Sequence, residues 1–255
     1  MYRKLIVALF GATLLSACSS SPAPSPTARA GSSTGPAPST PASVASGYSP
    51  AIEPANFVTT IDNPYFPLVP GTTFVYEGVR DGQNQRDEVV VTHETKVILG
   101  VTCVVVQDTA THGGTLLEKT EDWYAQDKEG NVWYFGEDTA EYEDGQVSST
   151  EGSWQAGVDG AQPGIVMDAH PEVPTSYRQE YYKGQAEDMA WVVSLDRPVD
   201  VPFGSYDDAL LTIEWSPLEP KVIDEKYYAS GVGLVLEVAA AGGDERAELV
   251  SVTAG

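Results

Sequence analysis

The chain has 255 residues, 42% of them hydrophobic, with 14 Lys+Arg against 37 Asp+Glu, a formal net charge of −23 and a pI near 4.2. That length suits one good-sized domain, and the charge repels phosphate backbones, which excludes nucleic acid as a partner. Two cysteines rule out a disulfide scaffold or a Cys-rich zinc module, and three histidines leave little room for a multi-histidine metal centre.

Arg3 and Lys4 precede an apolar run over residues 5–15. The run is too short to span a bilayer core and fits the h-region of a signal peptide. It ends in Leu15-Ser16-Ala17-Cys18, which resembles the lipobox of bacterial lipoproteins. The resemblance implies removal of residues 1–17 and acylation of Cys18, palmitate being a typical chain. The protein is then expected on the extracytoplasmic face of a bacterial cell membrane, with the membrane itself as a partner through the lipid. More than one acyl chain makes such an anchor stable where a single chain is marginal.

Residues 18–55 read as a linker. Between 19 and 50 nearly every residue is Ser, Pro, Ala, Thr or Gly, a composition that cannot offset the entropy of ordering. Its expected reach is about 30–35 Å, enough to hold a domain off the membrane. All 37 acidic residues and 11 of the 14 basic ones fall at or after Glu53, so the remainder carries a net charge of −26.

In residues 56–255 the dominant period is two rather than 3.6. An aromatic turn, Asn63-Pro64-Tyr65-Phe66-Pro67, leads into an alternating strand at 73–78. Runs at 88–98 and 101–106, split by Leu99-Gly100, predict a hairpin. Strands at 116–126 and 132–136 flank an Asp127–Asn131 turn, and Asp144-Gly145 predicts a further hairpin. Residues 152–174, rich in Gly and Pro, read as a long loop of the kind that often carries function. Strands resume at 176–182, 187–195, 209–215, 222–228, 233–239 and 246–252, with a short helical turn expected at 205–211. The expected fold class is all-β: one antiparallel, strongly curved sheet, a barrel or an open half-barrel.

Three stretches carry a resemblance for this domain: 122–127 (Asp-Trp-Tyr-Ala-Gln-Asp), 130–137 (Gly-Asn-Val-Trp-Tyr-Phe-Gly-Glu) and 227–233 (Tyr-Tyr-Ala-Ser-Gly-Val-Gly). Through them it resembles an uncharacterised group of secreted β-rich bacterial proteins. The last stretch is also weakly similar to strands of LolA/LppX-type half-barrels, which carry lipids or lipoproteins. That similarity implies an open curved sheet and transfers no functional residue.

No catalytic residue stands out. A Gly-x-Ser-x-Gly elbow is missing, and the acids are too numerous to single out a pair for glycoside hydrolysis. Cys103, between Val101 and Val105 on one strand face, reads as a small buried hydrophobe. The reading is therefore a non-enzymatic binding module for an apolar small molecule or an envelope protein. Its candidate ligand-binding residues are Trp123, Tyr124, Trp133, Tyr134 and Phe135, which put rings on both faces of one hairpin. One face must be core, and the other is core as well or an apolar groove. No cofactor is required. The alternative is a calcium-type cation site from Glu180, Glu187, Asp188 and His170, gathered by the turn at 183–185, against a solvated acidic strand edge. The three histidines, His93, His112 and His170, are expected at the surface.

Overall fold

The computed structural model describes residues 47–255; the lipobox, Cys18 and most of the linker lie outside them. A 3-10 turn, Pro54–Asn56, precedes the first strand. The strands are β1 (Phe57–Val58), β2 (Thr73–Arg80), β3 (Gln83–Ile98), β4 (Val101–His112), β5 (Thr115–Asp127) and β6 (Val132–Glu143). Then come β7 (Gln146–Ser149), β8 (Trp154–Gln155), β9 (Gln162–Met167), β10 (Thr175–Arg178) and β11 (Glu180–Tyr181). The chain closes with β12 (Met189–Val201), β13 (Gly204–Trp215), β14 (Ile223–Ala229), β15 (Gly233–Ala241) and β16 (Arg246–Thr253).

These strands make one antiparallel sheet, nearly closed into a barrel, in the order β10-β12-β13-β14-β15-β16-β2-β3-β4-β5-β6-β9-β11. The two ends of that order meet in one piece of chain. β10 pairs with β12, β11 pairs with β9, and only Gln179 separates them. The Gln179 N–H donates to Asp188 O at 2.9 Å, so a single residue stitches the seam. Gly164 is needed there: a Cβ on it would lie 2.3 Å from the backbone of Gln179.

Two expectations are corrected. Residues 205–211 belong to strand β13, because Val199–Val201 pair directly with Gly204–Tyr206 and leave no room for a helical turn. The 152–174 segment contains β8 and β9, both paired to β6, and Trp154 packs edge-on against the Tyr134 ring at 5.4 Å. The loop is thus largely part of the wall.

Antiparallel alternation gives the barrel two distinct ends. At one lie the β3–β4, β5–β6 and β14–β15 turns, closed by the loop of residues 59–72. Ile61, Phe66 and Leu68 of that loop are buried, and Asn63 pins it. Gln126 Oε1 accepts from the Asn63 N–H at 2.9 Å, while Asn63 Nδ2 donates to Gly130 O (2.9 Å) and Asp168 O (3.1 Å). The other end carries the β2–β3, β4–β5, β6–β7 and β15–β16 turns. There Asp244 clasps the Asp81 and Gly82 N–H groups at 2.9 and 2.8 Å.

The β12–β13 hairpin outruns its neighbour. β13 pairs with β14 only over Leu210–Glu214, while β12 and β13 stay paired to Val201 and Gly204 through three register shifts. Such bulges bend a ribbon. The bend brings the tip onto β16, where Phe203 N–H donates to Leu249 O at 3.0 Å.

Candidate functional site

Register explains what fills the barrel. One cross-strand row runs Tyr76–Asp87–Ala110–Glu118–Glu141, and the next runs Phe74–Val89–Asp108–Thr120–Thr139. The acids of these rows are buried, except for the half-buried Glu141, so Glu118 and Thr120 of β5 face inward while Lys119 and Glu121 face out. Among the described residues twelve acids are buried, against two bases, Arg80 and Lys226. Buried charge is tolerated only where it is paired or neutralised, and both happen here. Lys226 Nζ sits 3.0 Å from Glu214 Oε2 and 3.9 Å from Glu237 Oε1. Burial opposes the ammonium charge, but Glu214 and Glu237 outweigh it and hold the Lys226 pKa above the ordinary lysine value. Glu214 Oε1 also accepts from Thr212 (2.9 Å) and Tyr228 (3.2 Å). Glu237 takes the longer contact, and burial raises its pKa well above the carboxylate range. Asp87 is pushed up to about 8, chiefly by burial, with Gln85 and Arg80 pulling the other way.

The aromatic hairpin is packed on both faces. Tyr124 and Tyr134 face inward, stacked at 5.0 Å, with Phe66 edge-on to Tyr124 at 5.4 Å. On the other face Phe57 of β1 meets Trp133 and Phe135 at 6.2 and 5.6 Å. Trp133 Nε1 donates to Asp127 Oδ2, and the Lys96 ammonium caps the Trp123 ring 3.2 Å from its centroid. Trp123, Tyr124, Tyr134 and Phe135 are all buried and Trp133 is half-buried, so these rings serve the core.

Nor does the fold gather the acidic set. Glu180 and Asp188 are buried at the seam, and Glu180 acts with Asp122 and Glu137 on the nearby Tyr124 and Tyr134 hydroxyls. Glu187, half-buried in the turn before β12, instead accepts from the Gly184 N–H at 2.8 Å. His170 is exposed on the loop before β10. Among the described residues no three His, Cys, Asp or Glu side chains are grouped to hold a metal ion. His93 is exposed and His112 half-buried. Cys103 is fully buried, and burial pushes its thiol up to about 12.

Two openings have the size and shape of binding surfaces. The larger, about 730 Å³, lies outside the barrel over β16, β2 and β3, beneath Pro202 at the tip of the β12–β13 hairpin. Its charges answer one another: Arg86 with Glu77 at 3.2 Å and Glu88 at 3.6 Å, Arg246 with Glu248 at 2.6 Å. The second is an apolar groove of about 230 Å³ at the plugged end, lined by Pro67, Val69, Phe74, Phe203, Val232 and Val252. A smaller apolar cavity of about 30 Å³ adjoins it through the shared Pro67, Phe74 and Val232 and reaches inward to Phe66, Tyr76, Val89 and Leu234. Val69 and Phe203 are 59% and 40% exposed on its rim. Five separate elements build this groove: the 59–72 loop, the start of β2, the β14–β15 turn, the tip of the β12–β13 hairpin and the end of β16. No single stretch of sequence signals it.

No family model matches the chain, and no curated protein matches it. Two solved structures are similar in shape. One is described as an exported protein with YmcC-like fold from Bacteroides fragilis, 17% identical, TM-score 0.43, covering 74% of this chain and 98% of that one. The other is described as a lipoprotein from Parabacteroides distasonis, 14% identical, TM-score 0.41, covering 75% and 99%.

Proposed function

We propose that the chain is an extracytoplasmic lipoprotein, anchored through Cys18, whose barrel binds a small apolar ligand or the apolar end of a larger one in the plugged-end groove. The observation that carries this reading is the groove itself. A mostly apolar wall remains open to solvent in a domain of net charge −26, with Phe203 and Val69 on its rim. Exposed apolar surface in such a setting marks a place where something docks. The lipobox and the linker support the anchoring; the groove replaces the aromatic hairpin as the binding surface.

A fluorescent fatty acid such as cis-parinaric acid tests the reading. Saturable fluorescence enhancement is expected, weakened at least about tenfold (about 1.4 kcal/mol) by Phe203→Asp with the melting temperature unchanged. An enhancement indifferent to Phe203→Asp and Val69→Asp, or none at all, overturns it.

A further inference from the structure

The β12–β13 hairpin carries polar groups inside the barrel and indoles outside it. Ala190, Val192, Thr212 and Glu214 are buried and point inward, where Thr212 pairs with Lys226 of β14. Alternation then turns Met189, Trp191, Ile213 and Trp215 outward. Register joins these four into one patch, with Met189 opposite Trp215 and Trp191 opposite Ile213, and directly opposed residues share a face. Trp191 is 43% exposed and the other three are half-buried.

The point where the linker joins the domain indicates what covers this patch. Tyr48 packs edge-on against Tyr181 with ring centroids 5.9 Å apart, and the Arg178 guanidinium stands over the two rings at 5.5 and 4.8 Å. Burial in this contact pushes the Tyr48 hydroxyl up to about 12. Arg178 is the cross-strand neighbour of Met189, so the linker leaves the barrel at the edge of the patch. Only the residues between Cys18 and Tyr48 then separate the patch from the anchor. A linker with a reach of about 30–35 Å holds it at high local concentration over the bilayer, and a surface too weak to bind alone docks when tethered.

The chemistry of the patch agrees. Indole rings favour the membrane–water interface, where the ring body meets hydrocarbon and the N–H stays hydrated. A second copy of the chain would bring another −26 of charge against this one, whereas a zwitterionic bilayer brings none. We propose that the outer face of β12 and β13 docks on the bilayer that carries the anchor, with Trp191 and Trp215 at the headgroup level. The proposal rests on the anchoring through Cys18 and is independent of the plugged-end groove.

The chain from Cys18 onward, coupled through that thiol to a maleimide phospholipid in phosphatidylcholine vesicles, tests it. Cys103 is buried, so Cys18 takes the reagent and the anchor is present whether or not the cell adds one. Native acylation is read separately, from the mass of the chain purified from membranes. Phosphatidylcholine brominated on its acyl chains close to the headgroup is expected to quench the tryptophan emission. Ser176 is exposed and pairs with Trp191, so Ser176→Asp sets a carboxylate beside the indole without removing the fluorophore. The quenching is expected to be lost in that variant at unchanged melting temperature, and kept in Phe203→Asp, which alters only the groove. No quenching, equal quenching of Ser176→Asp, or loss of quenching in Phe203→Asp overturns the proposal. So does vesicle-free dimerisation that Ser176→Asp abolishes, which would put a second copy on this face.

Discussion

At Lys226 two carboxylates meet one fully buried ammonium, and the nearer, Glu214, also gathers the hydroxyls of Thr212 and Tyr228. Removing the cation strands a buried carboxylate, so Lys226→Met is expected to cost about 3–5 kcal/mol, read from urea unfolding. Lys226→Met combined with Glu214→Gln should recover part of that loss, since the stranded charge goes too. Asp87 gives a pH dependence of definite sign. Its folded pKa, about 8, lies above the ordinary unfolded value of about 3.9. The folded state therefore holds a proton that the unfolded state has released between those values. Its contribution to stability is greatest below about pH 4 and declines as pH rises towards about 8. Asp87→Asn keeps the Oδ1 acceptor for Gln85, and is expected to melt higher than the parent near pH 8 with a flatter profile between pH 5 and pH 8. An unchanged slope would count against a buried, protonated Asp87.

At the scale of strands, β5 shows how far the sequence could be read. Its alternation of Glu118, Thr120 and Asp122 with Lys119 and Glu121 signals a strand, and a strand it is. Period two fixes which residues share a face but not which face is inside. Glu118, Thr120 and Asp122 are the inner set, because hydroxyl partners for them, Thr139 and Tyr134, come from β6. The aromatic pairs at 123–124 and 133–135 were legible as rings on both faces of a hairpin. Their cover was not, since Phe57, Phe66 and Trp154 arrive from three separate segments. The hairpins at Leu99-Gly100 and Asp144-Gly145 are legible because each turn has a left-handed residue pair. Tyr134→Ala should then behave as a core truncation, costing about 3–5 kcal/mol in denaturant unfolding; a loss of ligand affinity at unchanged stability would restore the hairpin as a binding surface. The seam makes its own demand: Gly164→Ala presses a methyl into the Gln179 backbone, and is expected to cost about 1–3 kcal/mol.

At the scale of the whole molecule, charge and shape divide the work. A net charge of −26 on residues 53–255 keeps the domain soluble and repels it from anionic surfaces. Part of that charge lies inside the barrel, where salt reaches it poorly, and the rest at the surface, where a Debye length of about 10 Å at 0.1 M screens it. Added sodium chloride is therefore expected to raise the melting temperature by a few degrees, a gain that Lys226→Met and Asp87→Asn leave intact. The barrel ends differ in chemistry as well as in topology. The plugged end carries an apolar groove lined by Val69, Phe74, Phe203 and Val252, while the far end holds Arg80 among carboxylates. The most direct test of the binding account is native mass spectrometry of the chain from residue 19 onward, gently purified, with Phe203→Asp alongside. The account predicts an apolar adduct that survives chelator treatment on the parent and is lost from Phe203→Asp. An adduct equally retained by both proteins, or one stripped by chelator, would contradict it.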